Sequence, residues 1–198
     1  MNRALLMTLA VVAGLVVLGA LSFGGIYNSL VAAEEGVTGA WAQVENVYQR
    51  RLDLIPNLVE TVKGYAAHER ETLEAVIGAR SKITQTQITV KAFNDPQALT
   101  QFEQLQQGLT STLSRLLAIA EQYPDLKANQ NFLALQSQLE GTENRIAVER
   151  RRFNEVAREF NTRLRIFPNN WVGRLMGFQR KSYFAADEGA RTVPEVKF

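Results

Sequence analysis

Apolar residues stand at Phe132, Leu135, Leu139, Ile146, Phe153, Val156, Phe160, Leu164 and Phe167, at helical steps of three, four and seven. Such spacing draws one stripe along an α-helix, and a stripe that long must be buried against partner helices. Stripes of this kind predict an all-α fold. The stripe is broken in its middle. Where apolar residues are due near 142–143 and 149–150, the chain carries Thr142, Glu143, Glu149 and Arg150. A polar gap in an apolar seam reads either as a buried ion-pair layer or as a binding site.

The amino terminus sets a second constraint. From Ala4 to Tyr27 there is no charged residue, and an uncharged apolar run of about 20 residues is long enough to cross a bilayer as a helix. A cleaved signal has a shorter apolar region, roughly 7–15 residues, so an uncleaved signal-anchor over residues 1–27 is expected; Ala20-Leu21-Ser22 is the alternative, a cleavage site. Arg3 precedes the run and no Lys or Arg follows before Arg50. Positive charge stays inside, which puts the amino terminus in the cytoplasm and the rest on the periplasmic or extracellular side of the inner membrane. Ala10-x-x-x-Gly14 and Ala20-x-x-x-Gly24 have the spacing of packed membrane helices, but a Gly- and Ala-rich span produces it by chance.

Beyond the anchor, Leu30, Val37, Trp41, Val44, Tyr48, Ile55, Leu58, Val62 and Tyr65 continue a near-heptad pattern. Pro56 removes one backbone bond, so the helix either kinks there and ends near 64–68, or stops there. Acidic Glu69 and Glu71 suit the start of a second helix, with Leu73, Val76, Ile77 and Ile83 inward. Asn94-Asp95-Pro96 opens a third, with Leu99, Phe102, Leu105, Leu109, Leu113 and Leu116 inward. Tyr123-Pro124-Asp125 breaks it, and Asn129 caps the fourth, which ends near Phe167. Four amphipathic helices with short connections predict an antiparallel four-helix bundle over residues 28–167, its long first and last helices each roughly 55 Å. The fourth then returns the chain to the membrane.

Matching levels along those two helices sets Arg51, which holds a seam position, beside Glu143 or Glu149. The expectation is a buried polar layer of Arg51, Glu143 and Glu149, whose best-attested use is to fix register; the competing reading lets these side chains snorkel to solvent. Catalytic chemistry is not legible. With no cysteine and one histidine, His68, thiol nucleophiles, disulfides and cysteine-held metals are excluded, and a di-iron bundle would need Glu-x-x-His on two helices. No catalytic, cofactor or metal residues are assigned, and no enzyme activity is expected. A net charge of +2 over 198 residues gives no argument for nucleic acid. The basic run Arg150-Arg151-Arg152 is interleaved with Glu149, Glu155 and Glu159, as on a solvated face.

Residues 168–198 read as an amphipathic, then extended tail. Trp171, Leu175 and Phe178 fall on one face beside Arg174, Arg180 and Lys181, the pattern of an interfacial helix. Trp171, Arg174, Leu175 and Phe178 are the membrane-interface candidates; packing over the base of the bundle is the alternative. Tyr183-Phe184 and an extended 192–198 would continue along that surface.

The runs Ala40-Trp41-Ala42-Gln43-Val44-Glu45-Asn46, Tyr48-Gln49-Arg50-Arg51, Asp53 through Ala66, Tyr123 through Asn129, Leu139 through Ala147 and the Gly177-Phe178 to Tyr183-Phe184 ending resemble the LemA family. The resemblance covers about Tyr27 to Phe198; Val47 and Leu52 depart from it, where polar or small residues are expected. It implies a single-pass envelope protein with an outward-facing helical bundle and no established enzymatic activity, and it supplies no catalytic residues. Members often accompany membrane zinc proteases, which makes a membrane protease a candidate partner beside self-association and membrane lipid. Three functions are then expected in order: a non-enzymatic scaffold or adaptor, a membrane-remodelling or lipid-binding protein using its amphipathic end, and a small-ligand sensor at the polar layer.

Overall fold

The computed structural model describes residues 3–86 and 92–185, and the regular structure among them is all helical. α1 runs from Arg3 to Lys63, α2 from Arg70 to Gln85, α3 from Pro96 to Ala120, α4 from Pro124 to Lys127, α5 from Gln130 to Arg165 and α6 from Asn169 to Met176, with a single 3-10 turn at Ala92–Asn94. The extended run expected at 192–198 lies outside the described residues.

α1 is one helix from the apolar amino-terminal run into the folded body. Its first part is long and apolar enough to cross a membrane, and Leu9, Val11, Leu15, Val16, Leu18 and Leu21 are all exposed. From Leu30 onward the same helix turns a stripe inward: Leu30, Val37, Trp41, Val44, Tyr48, Ile55, Leu58 and Val62 are buried. Pro56 sits inside it without ending it. A proline supplies no N–H to the carbonyl four residues earlier, here Leu52. Arg80 of α2 takes that place, its Nε donating to the Leu52 oxygen at 3.0 Å. A backbone defect in α1 thereby becomes a fastening point for α2.

α5 runs antiparallel along α1. Asn129 Nδ2 donates to Tyr65 Oη at 2.9 Å at one end, Arg51 meets Glu143 midway, and Gly36 lies opposite Val156 further down. α2 and α3 pack on each other, and α2 also packs on α1. Side-chain caps explain two of the helix starts: Asp95 accepts from the Gln97 N–H and Asn129 from the Phe132 N–H, each satisfying an orphan donor of the first turn. Glu69 caps nothing; it sits just before α2 and accepts from the Tyr123 hydroxyl at 3.0 Å.

After α5, a cis Phe167–Pro168 bond leads into α6. Gly173 lets α6 close on α5 and α1, because a Cβ there would press into Leu164 Cδ1 and approach Leu30. Gly177, at φ +77°, ends α6 in the left-handed conformation. The N–H of Phe178 bonds back to the Gly173 oxygen and that of Gly177 to Arg174, a Schellman closure that glycine makes available. α6 therefore lies at the level of Leu30, next to the point where α1 becomes exposed and apolar.

The buried residues form two clusters. One gathers Leu52, Ile55, Leu58, Val76, Leu109, Leu116, Leu126 and Leu139. The other gathers Trp41, Val44, Tyr48, Phe93, Phe102, Ile146, Phe153, Phe160 and Phe184. Phe184 belongs to this second cluster, so the chain after α6 enters the core rather than running along its surface. At the other extreme Phe167, expected at the end of the α5 stripe, is 81% exposed, because the stripe's last partner, α1, leaves the body there.

Candidate functional site

The polar gap in α5 lies between the two apolar clusters. Arg51 is 2% exposed; its Nη1 donates to Glu143 Oε2 at 2.8 Å and to Thr110 Oγ1 at 3.1 Å, and its Nη2 donates to Gln106 Oε1. The guanidinium also lies 5.1 Å from the centre of the Tyr48 ring. Glu143 is unevenly placed, with one oxygen on Arg51 and 53% of its side chain in solvent. Thr142, buried in the seam, turns its hydroxyl back to the Gln138 carbonyl at 2.7 Å and needs no outside partner.

Glu149 is not brought to Arg51. One of its oxygens is buried with no hydrogen-bond partner, and it forms a loose ion pair with Arg152, at 3.9 Å on its own helix. The reason is helical phase: six residues after Glu143 the side chain has turned to another face of α5. Arg150 takes its place in the layer, its Nη2 meeting Glu103 Oε1 at 2.8 Å with both groups largely buried. Two ion pairs drawn from α1, α3 and α5, Arg51–Glu143 and Arg150–Glu103, thus lie near Tyr48. Burial pushes the Tyr48 phenol above its ordinary value, against the pull of Arg150 and Arg51.

These groups line an open cavity of about 330 Å³ together with Gln106, Gln107, Thr110 and Ser111. The groups it presents are charged and hydrogen-bonding ones. No nucleophile–base pair is assembled in it, and among the described residues no group of three or more His, Asp and Glu side chains is placed to hold a metal ion. Gln106, Thr110 and Glu103 were not read from the sequence. Gln106 was legible, since Leu99, Phe102, Gln106, Leu109, Leu113 and Leu116 step by three and four, and the glutamine interrupts α3 as Arg51 interrupts α1.

The other candidates lie at the base. Trp171 and Leu175 are 78% and 72% exposed, and Arg174 is exposed beside them. Phe178 is not on their face: Gly177 has ended the helix, and the ring turns back onto Tyr27 and Phe160 at centroid distances of 6.0 and 6.4 Å. Lys181, read as a border cation, is buried. Its Nζ donates to Glu34 Oε1 at 2.5 Å and Asn94 Oδ1 at 2.8 Å and lies over the rings of Phe93 and Phe160.

The sequence is similar to known proteins. The chain is 29% identical over 174 residues to the magnetosome protein MamQ of Magnetospirillum gryphiswaldense, covering 80% of this chain and 64% of that relative. It is 25% identical over 164 residues to the protein LemA of Metamycoplasma hominis, covering 83% and 71%. The magnetosome protein MamQ 2 of Paramagnetospirillum magneticum is 26% identical, with 80% and 64% covered. This chain therefore spans less than two thirds of the length of its MamQ relatives. None of these names denotes a reaction. The sequence model of the LemA family matches residues 40–198, which takes in Arg51, Gln106, Glu143 and the buried Lys181, and the chain belongs to that family.

Proposed function

We propose that this protein is a membrane-anchored, non-enzymatic scaffold or adaptor. Residues 1–27 are its signal-anchor, residues 28–167 an antiparallel four-helix bundle built from the outer part of α1 with α2, α3 and α5, and residues 168–198 an amphipathic, then extended tail. The observation that carries the reading is the continuity of α1: an exposed apolar helix passes unbroken into the packed core. A helix shared in this way couples the position of the bundle to the bilayer without a flexible linker. Arg3 on one side, with no further cation before Arg50, supports a cytoplasmic amino terminus and a bundle on the outer face of the inner membrane. The absence of any reaction from the relatives' names, and a polar layer without catalytic grouping, support binding over catalysis.

Photo-cross-linkers placed at exposed positions of the bundle, such as Glu140 and Arg151, test this in intact cells. A specific protein adduct, a second copy included, is expected from one face of the bundle. A surface scan that yields no adduct contradicts the adaptor reading. A cysteine at Glu140 should react with an impermeant maleimide before lysis while one at Asn2, which leaves Arg3 in place, should not; the reverse pattern refutes the orientation.

A second reading rests on the base. Phe167, Trp171 and Leu175 are exposed beside Arg174, and α6 packs at Leu30, with Phe178 just after it on Tyr27, where the apolar part of α1 begins. Trp with a neighbouring cation suits the interfacial zone of a bilayer, so this face is proposed to touch lipid. Flotation of an anchor-free chain with anionic liposomes should require Trp171 and Leu175; flotation unchanged by W171A/L175A removes the lipid contact.

A further inference from the structure

Residues 178–185 cross the body as an extended segment, and its main chain is held by side chains and one backbone group. Asn161 accepts from the Lys181 N–H and donates to the Lys181 oxygen, both at 2.8 Å. Asn154, seven residues earlier on the same face of α5, does the same for Phe184 at 2.9 and 3.1 Å. The Ser182 N–H donates to the Phe93 oxygen at 2.8 Å, the Ala185 N–H to Glu103 at 3.2 Å, and Arg150 donates to the Ala185 oxygen. Paired amide bonds to alternate stretches of a main chain are how a groove holds an extended peptide whatever its sequence.

Side-chain pockets add selectivity. Lys181 enters a slot between the Phe93 and Phe160 rings and ends on Glu34 and Asn94. Phe184 stacks on Trp41 at 5.7 Å and 13°, with Phe153 at its edge and Arg150 over its face. Within the segment, the exposed Arg180 and half-buried Ser182 contribute little beyond backbone. The groove therefore specifies a lysine and, three residues on, a phenylalanine, running antiparallel to α5.

We propose that this groove, between α1 and α5 and bordered by the Ala92–Asn94 turn, is an extended-peptide site, and that the same segment of a second copy occupies it when the chain's own segment lifts out. The segment follows Gly177, which ends α6, so no helix has to unwind for it to leave the groove. Copies held in one bilayer, as in the anchor reading on which the choice of a second copy rests, present groove and segment at the same height. The bound sequence on the page is that of this chain itself, which makes a like chain the matching donor.

The test uses the full-length chain in detergent, so it does not depend on how the anchor is oriented. In the K181A/F184A variant the resident segment is weakened. A labelled synthetic peptide of residues 177–187 should bind that variant, by fluorescence anisotropy, about tenfold or more tightly than wild type, whose own segment competes at an effective concentration on the order of millimolar. Adding N154A/N161A should abolish binding, and a peptide with Lys181 and Phe184 exchanged for alanine should not bind. A K181A/F184A copy should also retain a differently tagged N154A/N161A copy better than either retains itself. A helical K181A/F184A chain that ignores the peptide up to ~1 mM overturns the site; peptide binding without mixed-pair retention overturns the second copy as its occupant. Should K181A/F184A unfold, hydrogen exchange on wild type decides. Amides of Lys181, Ser182 and Phe184 exchanging well before those of α5 support a segment that opens, and exchange only with global unfolding overturns it.

Discussion

Arg51→Met and Gln106→Leu, singly and together, test how the polar layer is held. Arg51 is 2% exposed and Gln106 5%. Replacing Arg51 alone leaves the Gln106 carbonyl buried without its donor, a cost of about 1–3 kcal/mol. Thr110 keeps its bond to the Gln106 backbone oxygen, and the half-exposed Glu143 turns to water at a cost of at most about 1 kcal/mol. The methionine recovers little, because the arginine methylenes were buried already. Arg51→Met should therefore lose roughly 2–3 kcal/mol. Gln106→Leu takes one acceptor from a buried cation, also about 2–3 kcal/mol. The double variant removes both problems and completes the apolar stripes of α1 and α3, and apolar replacement of a buried ionic group is often neutral or stabilising. It should lie within about 1 kcal/mol of wild type, so the two changes couple by roughly 3 kcal/mol or more. Guanidinium unfolding of the full chain in detergent, followed by emission of Trp41, buried among four phenylalanines, gives the cycle; Trp171 is exposed and adds a steady background. Losses that simply add in the double variant refute the reasoning.

Arg80→Ala should cost about 1–3 kcal/mol, since it leaves the Leu52 carbonyl without a donor; Pro56→Ala in the same chain should recover part of that by restoring the α1 backbone bond, measured by the same unfolding curves. Asn161→Ala strands a buried N–H and a buried carbonyl of Lys181 and should cost roughly 2–5 kcal/mol, with faster exchange at Lys181 as its local signature. Tyr48 ionises late: because its native pKa is raised above 10.0, its contribution to stability is full below pH 10 and is lost as pH climbs through the native value. Tyr48→Phe should flatten that alkaline loss, read from unfolding midpoints between pH 9 and 12. Trp41→Ala, at the centre of the aromatic cluster, should cost about 3–5 kcal/mol.

The long helices were legible because their periodicity is local. The apolar phase continues through Pro56, and so does α1; Asp95 and Asn129 announced their helices and cap them. The polar layer was half legible. Arg51 falls in a seam position and Glu143 at a matching level, whereas Glu149 required a helical phase that coarse level-matching does not resolve. Gln106 is masked by Leu105 beside it, which keeps the α3 stripe apolar at nearly the same step. The Lys181 slot was not legible at all. Residues 178–185 have no period to read, and Glu34, which meets Lys181, lies 147 residues away in the chain. A basic residue near an amphipathic helix looks like a surface cation until Asn154 and Asn161 draw its backbone inward.

The proposed scaffold requires α1 to be one rod from its apolar amino-terminal stretch into the packed helices. The chain has no cysteine, so spin labels can be placed at Asn28 and Glu60 alone, both exposed, and their separation measured by pulsed dipolar spectroscopy in proteoliposomes. At 1.5 Å per residue a continuous helix sets them about 48 Å apart, in a narrow distribution. A broad distribution, or a mean below about 40 Å, would mean that the helix breaks and that anchor and bundle are not one element.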